Sequence, residues 1–169
     1  INLWSAVSWA GSLWSDSLVC ETPHVDSFPL VTTVRTAPLC FDSGDYKGVV
    51  RAIHDLQKDI EKVTNCKPVL YTGERPPEIV VIIGTLGKSQ LIDRMATSGK
   101  LTITDLEGKW ESFVITTVER PFPGTEQALV IAGSDKRGTI YGVYELSKQL
   151  GISPWYWWAD VPVKKRAEV

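Results

Sequence analysis

Histidine is scarce in this chain: only His24 and His54 occur, far apart from one another. Cysteine is scarce too. Cys20, Cys40 and Cys66 make an odd number with no CxxC pair, which argues against a zinc site. One disulfide with a spare thiol and three free thiols both fit the sequence. Long apolar runs are missing; the longest, IVVIIG from Ile79, is far too short to cross a bilayer. Neither sign of charge dominates. A net charge of −2 gives no electrostatic case for nucleic acid or an anionic membrane as partner. No asparagine opens a glycosylation sequon, since Asn65 is followed by Cys-Lys and Asn2 by Leu-Trp. The chain starts at Ile1, without an initiator Met, and its start lacks the basic stretch and continuous apolar run of a signal peptide. The expectation is a mature protein or an excised piece.

What is present fits a soluble globular chain. Its 43% hydrophobic and 22% charged residues lie near the average, and 169 residues suit one domain. A chain of this size buries about 70% of the surface that its unfolded form exposes. Residues 1–27 look irregular: Trp4, Trp9 and Trp14 recur every five residues, which is neither a helix nor a strand period. FPLVTTV and APLCF then read as two short strands around a turn. The stretch from Ser43 to Thr64 is the clearest helix. Val49, Ile53, Leu56, Ile60 and Val63 form one apolar stripe, and Arg51, Asp55, Lys58, Asp59 and Lys62 take the wet side. Asp45 is expected in its first turn, where the helix dipole favours a negative charge.

KPVLYTG is a candidate strand, and EIVVIIGT follows it as a strand apolar on both faces. A helix is expected at about 88–98. WESFVITTVE and ALVIAG then read as strands joined by the turn PFPGTEQ. A last helix spans about 136–150, with Gly151 ending it. Strands that could form hairpins mix with crossover helices. The fold class expected is α+β, an α/β sandwich: a mixed sheet with helices packed mainly on one face.

Two glycine-bearing turns follow apolar strands. IIGTLGKS, residues 82–89, has the flavour of a phosphate-binding loop. Such a loop needs four residues between its glycines so that backbone N–H groups can wrap the phosphates. Only two separate Gly84 from Gly87, so a strand-to-helix turn capped near Ser89 is the better reading. In IAGSDKRGTIYGVYELSKQLG, residues 131–151, Gly133 and Gly138 have the required spacing, but Thr139 stands in place of the lysine. Gly138 and Gly142 fall on one helix face and weaken intrinsic helix propensity. Close approach of the helix backbone to the sheet is the physical reason that accounts for them. Asp135 or Ser134 is placed to cap the helix start. Lys136 and Arg137 stand at the same end, where the dipole disfavours cations. Either they are solvated, or one pairs with a carboxylate of this or another domain. Asp135, Lys136 and Arg137 are therefore candidates for substrate binding or a domain interface.

The aromatic run is the other concentration. Trp155, Tyr156, Trp157 and Trp158 stand together, and Asp160 follows. An extended run puts large apolar rings on both sides. Such rings can pack at a domain junction, fill the chain's own core, or stack on a sugar. Trp155, Trp157, Trp158 and Asp160 join the candidate list on that ground. Glycoside hydrolysis needs two carboxylates at about 5–9.5 Å. Asp135, Glu145 and Asp160 qualify by position only, and caps or surface charges explain them as well. No Ser-His-Asp or Cys-His order stands out. The late KKR reads as a solvated boundary segment.

The segments DLQKDIEKVT, GKWESFV and ALVIAGSDKRGTIYGVYELSKQLGISPWYWWADVPVKK together resemble the N-terminal domain of glycoside hydrolase family 115. The resemblance covers about residues 28–166, and residues 1–27 match it less well. The family removes glucuronic acid or its 4-O-methyl ether from xylan side chains by α-1,2 hydrolysis. The resemblance implies an α/β domain like the second domain of β-hexosaminidases, placed ahead of a catalytic (β/α)8 barrel. Such a barrel alone takes about 250 residues. No catalytic motif of the family matches a residue here, so the implied list of catalytic residues is empty, as are those for metals and cofactors.

The implied layout is an irregular segment at 1–27, the α/β domain at 28–152, and an aromatic junction at 153–169 leading to the barrel. The implied partners are the barrel of the same polypeptide and, through the full enzyme, glucuronoxylan; the implied location is secreted, extracellular. Two other readings compete. One is a stand-alone carbohydrate-binding module using the Trp155–Trp158 cluster. The other is a nucleotide-binding α/β protein, which depends on the Gly-Lys-Ser turn.

Overall fold

The computed structural model describes residues 27–152 together with Val19, Lys165, Arg166 and Val169. Helix α1 (Lys47–Thr64) forms where the apolar stripe predicts it. Val49, Ile53, Leu56, Ile60 and Val63 are all fully buried. Two expectations for this helix change. Asp45 precedes it, and its carboxylate accepts from the N–H of Tyr46 (2.7 Å) and of Thr85 (2.8 Å). Asp59 is buried rather than wet, and pairs with Lys62 at 3.4 Å.

Five strands form one mixed sheet: β1 (Leu39–Phe41), β2 (Leu70–Tyr71), β3 (Ile79–Thr85), β4 (Phe113–Glu119) and β5 (Gln127–Gly133). Their order is β2-β1-β3-β5-β4. β1, β2, β3 and β5 run parallel, and β4 runs antiparallel to β5. The two continuous apolar runs became β3 and β5, paired along their whole length near the centre, where strands buried on both faces belong. The turn PFPGTEQ closes the β4–β5 hairpin, with Gly124 at φ +87°. FPLVTTV does not form a strand. Within the described residues it makes a bridge between Val31 and Thr36 but joins no named strand of the sheet. The Thr32 hydroxyl accepts from Arg35 N (3.1 Å) and Val34 N (3.4 Å), folding the segment into a tight turn instead.

Alternation along the strands divides the apolar side chains between two cores. Leu39, Phe41, Val81, Ile83, Ile115 and Ile131 face α1 and α3 (Lys136–Gln149). Cys40, Val80, Ile82, Val114, Val130 and Ala132 face Leu91, Ile92 and Met95 of α2 (Gln90–Thr97). Two of the three helices thus share one face, which is the mixed α+β architecture expected, and the third covers the other. Tyr144 of α3 donates to Asp55 Oδ2 at 3.3 Å and links the two neighbouring helices.

The late basic segment is more than a solvated boundary. Lys165 Nζ donates to Lys62 O (2.6 Å) and Asn65 Oδ1 (2.7 Å), and Arg166 N donates to Val63 O (3.0 Å). These groups satisfy carbonyls at the end of α1, where the dipole favours a cation. Val169 exchanges two backbone hydrogen bonds with Val31, at 2.8 and 2.9 Å.

Candidate functional site

The parallel strands β1, β3 and β5 end on one edge of the sheet, and β4 begins there. In open α/β sheets this carboxyl edge is where ligands collect. Asp135, Lys136 and Arg137 lie on it, between the end of β5 and the first turn of α3.

Asp135 is the N-cap of α3, as predicted: its Oδ1 accepts from Gly138 N at 2.8 Å. Its second oxygen does something the sequence did not announce. Oδ2 accepts from Glu111 N at 2.9 Å, across 24 residues of chain. Burial of this carboxyl works against its ionisation. Donation by the N–H groups of Gly138, Glu111 and Arg137 outweighs that, and the charge of Arg137 adds to it, so the Asp135 pKa lies below the ordinary carboxylate value.

Ser134 locks the same loop from its other side. Its N–H and hydroxyl both donate to Ser112 O (2.9 and 3.2 Å), and its oxygen accepts from Ser112 N at 3.1 Å. Glu111 sits at φ +54° between these anchors. A non-glycine residue in that region needs surroundings that impose it, and the two clamps supply them.

Arg137 pairs with the Glu111 carboxylate at 2.7 Å and donates to the Tyr141 hydroxyl at 3.0 Å. Of the two alternatives for this arginine, an ion pair within the described residues is the one realised. The Tyr141 contact and the Glu111 charge both raise its pKa further. Lys136 is exposed, with its methylenes near Gly48.

The glycines of α3 do what their spacing suggested. A Cβ on Gly138 would lie 2.2 Å from Ser112 O, and one on Gly142 would lie 2.8 Å from an Ile131 methyl. Behind them the Thr139 and Thr85 hydroxyls share a buried hydrogen bond of 2.8 Å. A run of contacts therefore links Asp45, Thr85, Thr139 and Asp135 across the sheet edge.

The Gly-Lys-Ser turn does not hold a phosphate. Its amides are already used: Gly87 N donates to Asp93 Oδ1 (2.7 Å), Lys88 N and Ser89 N donate to Thr85 O, and Thr85 N donates to Asp45. Two carboxylates at the loop would repel an anion. Ser89 occupies the N-cap position of α2, but its hydroxyl makes no capping bond. It is buried against Gly84.

Asp135 and Glu145 do not form a hydrolytic pair. Ten residues along a helix separate them by about 15 Å, beyond the reach that glycoside hydrolysis needs. Glu145 instead accepts from Gln149 at 2.8 Å. Trp155, Trp157, Trp158 and Asp160 lie outside the described residues, as do Trp4, Trp9, Trp14 and Cys20. Cys40 and Cys66 are free thiols. Burial, with help from the Asp42 charge, pushes the Cys40 thiol up to about 12, so it stays protonated in the core.

Sequence reasoning missed Glu111, Ser112, Thr85 and Thr139 as members of this edge. Only the tertiary fold brings them to Asp135.

No protein-family model matches the chain, and no curated protein matches its sequence. A solved structure described as a family GH115 4-O-methyl-alpha-glucuronidase, BtGH115A, with specificity for decorated arabinogalactans, is similar to it. The two share 29% identity and a TM-score of 0.68. The match covers 85% of this chain and 17% of that one. This chain is thus similar in fold to a part of a GH115 glucuronidase, and spans about a sixth of that protein's length.

Proposed function

We propose that this chain is a non-catalytic accessory domain of a secreted xylan α-1,2-glucuronidase. In this reading it precedes and supports a catalytic (β/α)8 barrel in the same polypeptide. The enzyme as a whole removes 4-O-methylglucuronic or glucuronic acid from xylan. One observation carries the reading: the likeness takes in 85% of this chain but only 17% of the glucuronidase. A relation of that shape is expected of one domain within a longer enzyme.

The chemistry at the carboxyl edge supports the non-catalytic part. A general acid or nucleophile needs a carboxylate free to face the scissile bond. Both oxygens of Asp135 are committed to backbone amides, and the Glu111 carboxylate is committed to Arg137. Lys136, Arg137 and Asp135 then serve the surface that meets the rest of the enzyme, and Trp155, Trp157, Trp158 and Asp160 form the junction. The test is the reading frame beyond Val169. It is expected to encode a segment of about 250 residues with alternating strands and helices. A downstream sequence with no such alternation would overturn the proposal.

A further inference from the structure

Helices α1 and α3 run in the same direction. Their first turns lie side by side, with Gly48 against Ile140 and Lys136, and their middles meet at Asp55 and Tyr144. Both begin after strands that end on the carboxyl edge of the sheet, so both end at the opposite, amino edge. The chain beyond α3 is anchored at that same edge. Ile152 N donates to Ser147 O at 3.1 Å, and Ile152 packs on the core that the two helices share. Lys165 and Arg166 return to the last carbonyls of α1. Val169 pairs with Val31, which precedes β1.

The two edges are well separated. α3 is 14 residues long, so its ends lie about 21 Å apart. Asp135 and Arg137 stand at its start, near the loop of Trp110, whose side chain is 87% exposed. The amino edge has exposed apolar side chains of its own. Val34 is 91% exposed and Val69 68%. They stand ahead of β1 and β2, which are neighbouring strands. The turn that carries Val34 is held: the Thr32 hydroxyl accepts from Val34 N and Arg35 N, and Arg35 pairs with Glu78 at 3.7 Å, just ahead of β3. Apolar side chains beside an exposed ion pair have the make-up of a protein–protein contact, apolar within and polar at the rim.

Chain connectivity says what would cover them. Val31, three residues before Val34, holds Val169 by two backbone hydrogen bonds. In the accessory-domain reading, on which this inference rests, the barrel continues from Val169. It then starts at the amino edge, beside the Val34 turn. We propose that the amino edge of the sheet, with Val34 and Val69 as its exposed apolar part, is the surface on which that barrel seats. This surface is additional to the one at Asp135 and Arg137, which lies at the other end of α3.

Hydrogen exchange tests it, comparing the 169-residue chain with the same chain extended through its downstream reading frame. Slower exchange at 33–36 and 66–70 in the extended protein is expected. Exchange there that the extension leaves unchanged overturns the proposal. Protection gained only around Asp135 and Arg137 also overturns it, and leaves the accessory-domain reading standing. Full protection already present in the chain alone overturns it as well, because the chain then covers its own edge. A reading frame that encodes no barrel removes the reading itself, and is seen before any exchange is measured. Val34→Asp combined with Val69→Asp gives a second readout. The pair should leave the melting temperature of the chain alone unchanged, because both side chains stand in water. It should lower the melting temperature of the extended protein or split its transition in two. An extended protein that melts alike with and without the two substitutions overturns the proposal.

Discussion

Helices α1 and α3 pack side by side on the same face of the sheet, yet they dock by opposite means. α1 presents a full stripe of branched side chains, each fully buried. α3 presents gaps: Gly138 lets the helix settle onto the Ser112 carbonyl, and Gly142 lets it settle onto Ile131 and Phe113. The first helix is held by hydrophobic area, the second by close approach and by the Asp135 cap. Area tolerates small changes, because neighbouring side chains can shift. Contact between a helix and a backbone carbonyl does not, because the Ser112 carbonyl is held by Ser134 just ahead of β4.

Substitutions on each helix sharpen this contrast. Leu56→Ala on α1 should have the largest effect, about 4 kcal/mol, from lost transfer energy and a residual cavity. Chemical denaturation measures it, and a loss under about 1 kcal/mol would mean that the stripe is not the core. Gly138→Ala should follow at about 3 kcal/mol, since a single methyl meets backbone there. Its companion Gly142→Ala should cost about 1 kcal/mol, because the clash is with side chains and alanine repays part of it in helix propensity. Equal costs at the two glycines would break the argument that backbone contact is what distinguishes them.

Asp135→Ala lies between the two glycine variants, at about 2 kcal/mol near neutral pH, for a cap that also holds a second loop. Its pH dependence carries a sign. The folded-state pKa of Asp135 is depressed. Its contribution is therefore full above the unfolded value of about 3.9, and is lost as pH falls through the lower folded value. The gap between wild type and variant should narrow as pH drops below about 4. A gap that widens with acid would contradict the depressed carboxyl.

A truncation after residue 163 probes the C-terminal end of α1. It removes Lys165, Arg166 and Val169, which satisfy the last carbonyls of α1 and pair with Val31. A modest drop in melting temperature is expected, smaller than that of any core variant. An unchanged melting temperature would mean that these contacts add nothing to the fold.

The same contrast explains what the sequence disclosed. Val49 to Val63 are legible because helix docking by area leaves a periodic trace of apolar letters. β3 and β5 are legible because strands buried on both faces read as unbroken apolar runs. The α3 glycines and the Asp135 cap are also visible, since each is a local signal. The clamp on Glu111 and Ser112 is not, because its bonds span 24 and 22 residues. Nothing near Glu111 in sequence marks it for a left-handed backbone, and nothing near Trp110 marks its ring for exposure. The segment at Phe28 misled because Thr32 offers its hydroxyl to the following amides, a local competitor to strand pairing.

The central proposal is that this chain is an accessory domain of a glucuronidase and does not itself perform the hydrolysis. The direct measurement is release of 4-O-methylglucuronic acid from decorated xylo-oligosaccharides, with the pure chain and with the same chain extended through its downstream reading frame. Release by the extended protein and none by the chain alone is expected. Release by the chain alone, or none by either, would contradict the claim.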